Sequence, residues 1–263
     1  DQPRSRGLGD VYKRQHLGPW LIYPNGQKNN TKLSFEKEAL SFLINQLPKA
    51  NISVIKFHHS MQNILPFVWN GFRSSVKYTY LLKDIYKKET NLLKNLSSNT
   101  RKNIKKAEKI LEVFESEDVS KLYDLINMTF QRQKLRVPYS KEVLNNLFKT
   151  CQSKGQCKIL MAKDSAGNIH SGILLIWNEK TVYFLVGGSD PRYRKSEAMT
   201  LIMWESVKFA SSFAQEFDFE GTMVESIERF IRGFGATQHP YFQISKVKPS
   251  FLKPLFEKKY NLS

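Results

Sequence analysis

Cysteine is almost missing from this chain: among 263 residues only Cys151 and Cys157 carry a thiol. No CxxC pair exists. His16, His58, His59, His170 and His239 stand at no ligand spacing from the two thiols, which argues against a structural zinc site. The expectation is a pair of reduced cysteines, one of them on a strand, and no metal. Long apolar runs are missing as well. None approaches the roughly 20 residues that a spanning helix needs, and no signal-peptide pattern opens the sequence, so the chain reads as cytoplasmic. The sequence lacks G-x-x-x-x-G-K-[ST], G-x-G-x-x-G and H-E-x-x-H, and it lacks G-x-S-x-G. Acid is scarce: 24 Asp and Glu face 41 Lys and Arg, a formal charge of +17. Such an excess speaks of partners rather than of fold. Nucleic acid, an anionic membrane surface or a phosphate-bearing substrate all fit it, and so does a lysine-rich surface with no dedicated partner.

What is present suffices for a core, with 41% hydrophobic and 13% aromatic residues. At about 150 residues per domain the length suggests one large domain or two small ones. Residues 1–15 read as foreign. Asp10-Val11-Tyr12-Lys13-Arg14-Gln15 back-translates to a transposon-end sequencing adapter, and the stretch is set aside from fold reasoning. Native sequence is then expected from His16, entering in mid-domain.

From there Trp20-Leu21-Ile22-Tyr23 reads as a short strand ended by Pro24-Asn25-Gly26. A helix is expected from Ser34, carrying Phe35, Ala39, Leu40, Leu43 and Leu47 and stopped by Pro48. Strands follow at 52–57 and 76–82, with the apolar group Phe67-Val68-Trp69 between them. The composition turns basic and helix-prone over 83–109. There Ser97-Ser98-Asn99-Thr100 offers cap residues, and a domain boundary is placed between residues 98 and 99. Beyond it come a strand at 110–114 and a helix capped by Ser116, with Val119, Leu122, Tyr123, Ile126 and Phe130 as its apolar stripe. A second helix starts at Ser140. Strands follow at 158–163, 172–177 and 182–186, then a long helix at 196–213, a strand at 216–219, a helix at 226–234 and a strand at 241–244.

Four local patterns resemble the Fem-like and BioF-type bacterial acyltransferases. They are Phe67-Val68-Trp69-Asn70-Gly71-Phe72 followed by Tyr78-Thr79-Tyr80-Leu81-Leu82; the basic stretch from Leu96 through Arg101-Lys102-Asn103-Ile104-Lys105-Lys106-Ala107; Phe217-Asp218-Phe219-Glu220-Gly221; and Ile227-Glu228-Arg229-Phe230-Ile231-Arg232-Gly233-Phe234-Gly235. The element order β-α-α-β-β-β-α-β-α-β is similar to that of a GNAT acyltransferase domain. The resemblance implies an α/β (α+β) fold with a mixed central sheet flanked by helices. It also implies a GNAT-like acyltransferase domain over 99–263 and a truncated GNAT-like lobe over 16–98. It implies transfer of an acyl or aminoacyl group to an amine, with acyl-CoA as donor in some members and aminoacyl-tRNA in those that extend cell-wall peptides. The acceptor is then a small amine or a peptidoglycan precursor.

The chemistry asks for a phosphate site, a base and a donor for the developing oxyanion. Asp190-Pro191-Arg192-Tyr193-Arg194-Lys195 precedes a helix start, where free N–H groups and cations suit phosphates. Arg192, Arg194, Lys195, Ser196 and Ala198 are the donor-binding candidates. The family's Q/R-x-x-G-x-G/A frame matches here only at Ala198, with Ser196 in place of the first glycine and Glu197 beside it. The alternative is a solvated basic turn that caps the helix. For the base, period two puts Glu216, Asp218 and Glu220 on one strand face opposite Phe217 and Phe219. Asp218 or Glu220 would orient or deprotonate the amine at a pKa raised by crowding; the alternative is structural pairing with Arg229, Arg232 or Arg194. Tyr241 is a candidate general acid. Trp69 and Tyr80 with Arg229 are candidates for binding the acceptor, and Tyr80 reads equally as core. The helix holding Arg101, Lys102, Lys105, Lys106 and Lys109 against one acid, Glu108, is the nucleic-acid-like feature, a place for tRNA phosphates or a merely solvated face. Three functions compete: a CoA-dependent N-acyltransferase, a tRNA-dependent aminoacyltransferase, and a catalytically idle GNAT-like lobe that binds RNA or an anionic surface.

Overall fold

The computed structural model describes residues 18–248, so the adapter-like residues lie outside the described chain. The chain divides into two compact units, one holding residues 18–78 and 239–248, the other Thr79–Gln238.

The first unit contains α1 (Asn29–Gln46), β1 (Ile52–Lys56) and α2 (Leu65–Trp69). It also holds the start of β2 (Arg73–Lys83) and most of a late strand, β8 (Thr237–Val247). β1 runs antiparallel to β8, with Ile52 opposite Val247 and Lys56 opposite Gln243. The core here is Leu40, Phe57, Met61, Ile64, Phe67, Phe72 and Ile244. Two expectations fail in this unit. Trp20–Tyr23 is no strand: Trp20 and Ile22 are exposed, and the Tyr23 hydroxyl donates to Glu36 at 2.8 Å. Helix α1 starts at Asn29, five residues before Ser34, after a Lys28 cap with no side-chain bond. Phe67-Val68-Trp69 forms a helical turn, with Pro66 in the first-turn position that tolerates its missing N–H.

The second unit is a mixed sheet flanked by helices. Its elements are α3 (Glu89–Asn95), α4 (Ser98–Ala107), β3 (Glu112–Ser116), α5 (Val119–Arg132), α6 (Lys141–Gln152), β4 (Cys157–Lys163), β5 (Ile169–Trp177), β6 (Thr181–Ser189), a 3₁₀ turn (Pro191–Ser196), α7 (Ala198–Ser211), β7 (Glu216–Asp218) and α8 (Glu225–Arg232). The strand order is β2-β7-β6-β5-β4-β3. All neighbours are antiparallel except β6 and β7. Alternation along β4 sends Ile159 and Met161 to one face and Leu160 and Ala162 to the other. The first pair packs with Leu174 against Val119, Leu122 and Ile126 of α5 and Leu144 and Phe148 of α6. The helix α7 packs on β4, β5 and β6 and against α4. Ten of its residues are buried, so it reads apolar nearly all round, and each large side chain there contributes about 1.5–3 kcal/mol.

Helix ends moved where the cap chemistry was misassigned. Asp118, not Ser116, caps α5, its Oδ1 accepting from Lys121 N at 2.8 Å, while Ser116 ends β3 and accepts from Asp118 N. Ile110 is exposed outside the strand, which begins at Glu112. At Gly188 the sheet and helix α5 come close together. A Cβ there would lie 2.3 Å from the backbone of Leu125 and Ile126 in α5. Among the described residues no helix is long and apolar enough to cross a membrane.

Candidate active site

The parallel pair β6 and β7 opens a gap in the second unit's sheet. Pairing covers Thr181 with Glu216, Val182 with Phe217 and Tyr183 with Asp218, and then β7 ends. β6 continues to Ser189. Its register with β5 slips between Leu174 and Leu175, which face Val186 and Phe184, so Leu185 is bulged out of the ladder. Residues 184–189 of β6 thus run on beyond β7, and a bulge re-aims their backbone.

At the end of β7 the chain turns sharply. Asp218 is fully buried; its Oδ1 accepts from Thr79 Oγ1 at 2.5 Å and from Glu220 N at 2.8 Å. Glu220 is 8% exposed, with φ of +63°, in the left-handed region. The expected single face for the three acids is therefore corrected: Glu216 and Asp218 alternate on the strand, but the strand has ended before Glu220, and its backbone turn breaks the period. Pairing with the named arginines is not found either. Arg229 bonds Glu225 at 3.1 Å and Arg232 bonds Glu228 at 3.5 Å, both along α8, and both arginines are exposed. Tyr183, which carries no motif of its own, faces this corner. Burial first, and then the charges of Asp218 and Glu220, push its phenol up, against the hydrogen bonds with Thr181 and Asn178 that lower it. The sequence carried no signal for it; its place opposite Asp218 comes from the parallel register of β6 and β7.

Tyr80 is buried and its hydroxyl accepts from Gln238 Nε2 at 2.8 Å. Trp69 and Tyr241 belong to the other unit. Trp69 ends α2, 62% exposed, with Lys37 Nζ 5.7 Å from its ring, while Tyr241 is buried on β8.

Beyond the open end of β6 lies the candidate donor turn. Arg192 is committed within it: Nη2 lies 2.7 Å from Asp190 Oδ2, and Nε lies 3.1 Å from each carboxylate oxygen. That pairing holds the Asp190 carboxyl below its usual range. Arg194 and Lys195 are exposed. Ser196 is 8% exposed and its Oγ is buried with no hydrogen-bond partner. Glu197 caps α7 at φ +61° without a side-chain bond to the backbone; its Oε2 accepts from Thr200 Oγ1 at 3.2 Å, which puts a carboxylate in the helix's first turn. Ala198 is buried as the first residue of α7. Under the turn, the His170 and Tyr193 rings are stacked with centroids 4.0 Å apart. The basic face of α4 reaches the same turn, Lys106 Nζ donating to Lys195 O at 2.8 Å.

A separate cavity of about 290 Å³ lies at the other end of the sheet, among Phe148, Cys157, Lys158, Trp177 and Phe209. It contains none of the expected site residues. Burial pushes the Cys157 thiol up to about 11, so it is no ready nucleophile.

Residues 94–223 match the acetyltransferase (GNAT) domain family. The chain resembles the crystal structure of FemX at a TM-score of 0.64 and 15% identity, over 84% of this chain and 79% of that one. It resembles the structure of L-PGS from Bacillus licheniformis at a TM-score of 0.52 and 10% identity, over 89% of this chain and 79% of that one. At such identities the likeness is one of fold. No curated protein sequence matches the chain.

Proposed function

We propose that the chain is an N-acyltransferase, a reading supported by the match of residues 94–223 to the acetyltransferase (GNAT) domain family. It moves an acyl group from acyl-CoA, or a donor built like it, to an amine by direct attack. The observation that carries the reading is the donor turn. Its exposed Arg194 and Lys195 and the buried, unpartnered Ser196 Oγ stand at the N-terminus of a 14-residue helix, where free N–H groups favour phosphate. Glu197 opposes a diphosphate there and weakens the site without closing it.

In this reading the acyl carbonyl lies along the open edge of β6, where backbone N–H groups stabilise the developing oxyanion. The amine nitrogen bonds to the carbonyl carbon and the carbon–sulfur bond breaks. Glu220, seated at the corner by the bond of its own N–H to Asp218, takes the amine proton. Tyr183, kept protonated by burial and its acidic neighbours, returns a proton to the leaving thiolate. Arg229, on the exposed side of α8, is assigned to the acceptor, a small amine or a peptidoglycan precursor bearing one. The setting is the cytoplasm.

One observation favours a second reading, a tRNA-dependent aminoacyltransferase acting on cell-wall precursors. Arg101, Lys102, Lys105 and Lys106 are exposed on α4, and Lys106 ties that face to the donor turn. A phosphodiester chain laid along it would reach the turn without presenting a diphosphate to Glu197.

Melting the protein with acetyl-CoA, longer acyl-CoAs or charged tRNA separates the two. Donor at about 100 times its dissociation constant adds roughly 2.7 kcal/mol. A shift with acyl-CoA supports the first reading, and a salt-sensitive shift with tRNA alone supports the second. No shift with either leaves an idle lobe and overturns both.

A further inference from the structure

Below the turn that carries Arg194, Lys195 and Ser196 lies a set of contacts that the transfer chemistry does not use. His170, the second residue of β5, is 5% exposed. Its imidazole lies flat against the Tyr193 ring, centroids 4.0 Å apart and planes within 2°. Its Nε2 lies 3.2 Å from Asp164 Oδ2. Asp164 is fixed in turn by the hairpin that joins β4 to β5. Its Oδ1 accepts from Ala166 N at 3.0 Å and Asn168 N at 2.9 Å, and the Asn168 amide donates to Oδ1 and Oδ2 at 3.2 and 2.9 Å. These bonds, Asn168 foremost, hold the Asp164 carboxyl down at about 2.

An ionised carboxylate only accepts, so Nε2 is the nitrogen that donates to Asp164. Nδ1 is buried with no hydrogen-bond partner. The Arg192 guanidinium lies 5.4 Å from the Tyr193 ring centroid. Asp190, which holds Arg192, donates its backbone N–H to His170 O at 2.9 Å. The turn has six residues, and Tyr193 departs from helical geometry inside it, at φ −105° and ψ 18°. Such a turn has poor internal hydrogen bonding and does not hold its own shape.

We infer that His170 is a positioning residue for the donor. Acting through Tyr193, it fixes the turn at 190–196 against the β4–β5 hairpin and so sets affinity for the donor's anionic end. The inference rests on the donor reading given above. A turn already fixed loses less freedom when the donor binds, and that gain appears in donor affinity rather than in the chemical step.

The test uses His170→Ala, which removes ring and tether, and His170→Phe, which keeps a ring to stack but not the tether. Donor KM, acceptor KM, kcat, melting temperature and amide exchange over residues 191–198 are measured for each. His170→Ala is expected to raise donor KM about tenfold, with kcat and acceptor KM within twofold, and to speed exchange in the turn while the α5 and α6 core stays protected. His170→Phe is expected to recover most of the donor affinity. Nitrogen-15 shifts of the wild-type imidazole should place the proton on Nε2. A lower melting temperature with unchanged donor KM and unchanged turn exchange would make His170 an ordinary core residue and overturn the inference. If the wild-type protein turns over no acyl-CoA, the donor reading falls by itself. Turn exchange with and without His170 then still decides: unaltered exchange overturns the clamp.

Discussion

Two carboxylates sit within three positions of each other at the end of β7, and the proposed function gives them different work. Asp218 is wholly buried and accepts from Thr79 and from the Glu220 backbone, so it shapes the corner. In the proposed reaction Glu220 is the one that exchanges a proton. Glu220→Gln should therefore lower kcat about 10²-fold, as losing a general base does. Asp218→Asn should destabilise the protein by about 1–3 kcal/mol, because a buried acceptor pair is replaced by a group that must find a new partner for its own N–H. Retention of full turnover by both variants would refute the assignment. Cys157 makes a pH prediction. Its thiol is raised from 9.0 to about 11 by burial first and by neighbouring Cys151 and Glu115 next. At pH 8 its thiolate fraction is then about 100-fold below that of an ordinary thiol, and alkylation should be slower in proportion until the pH nears 11. Alkylation at the rate of free cysteine at pH 8 would contradict this.

At the scale of elements, Gly188 and Ser97 offer the clearest tests. Gly188→Ala would drive a methyl to within 2.3 Å of the α5 backbone, and a backbone cannot step aside as a side chain can. The cost should be about 3 kcal/mol, read by denaturant melting, against under 1 kcal/mol at an exposed site. Ser97 Oγ accepts from Thr100 N at 3.1 Å, so Ser97→Ala should cost about 1 kcal/mol and loosen α4. Most elements between β3 and α8 could be read from the sequence, because one face of each is buried and periodicity records it. The stripe of Val119, Leu122 and Ile126 is such a record. Ends were less legible: Ser116 and Asp118 are both good cap residues, and only the chain's direction out of β3 selects Asp118. Glu220 was misplaced because strand alternation was carried past the point where backbone pairing stopped. Trp20–Tyr23 misled because apolar composition was read as a strand where Trp20 and Ile22 stay exposed and Tyr23 reaches Glu36 through its hydroxyl. The His170–Tyr193 stack left no sequence signal, since it joins residues 23 apart through a hairpin and a turn whose meeting depends on the sheet.

For the whole molecule the charge of +17 governs how it meets other molecules at long range. If α4 holds a polynucleotide, neutralising four phosphates gives a slope of log affinity against log salt near −3, and replacing Lys102 and Lys105 by Gln should reduce that slope by roughly 2. Binding indifferent to salt would exclude α4 as the contact. A saturating acyl-CoA should raise the melting temperature by roughly 5–10 °C in a protein of this size. The bond between Thr79 and Asp218 also has a temporal side, for it joins positions 139 apart. At about 5–20 residues per second, Thr79 is joined to the chain roughly 7–28 seconds before Asp218 is. Through that interval Leu81 and Leu82 have no β7 to pair with, and the nascent chain carries an open strand edge while it waits for the residues that close the corner.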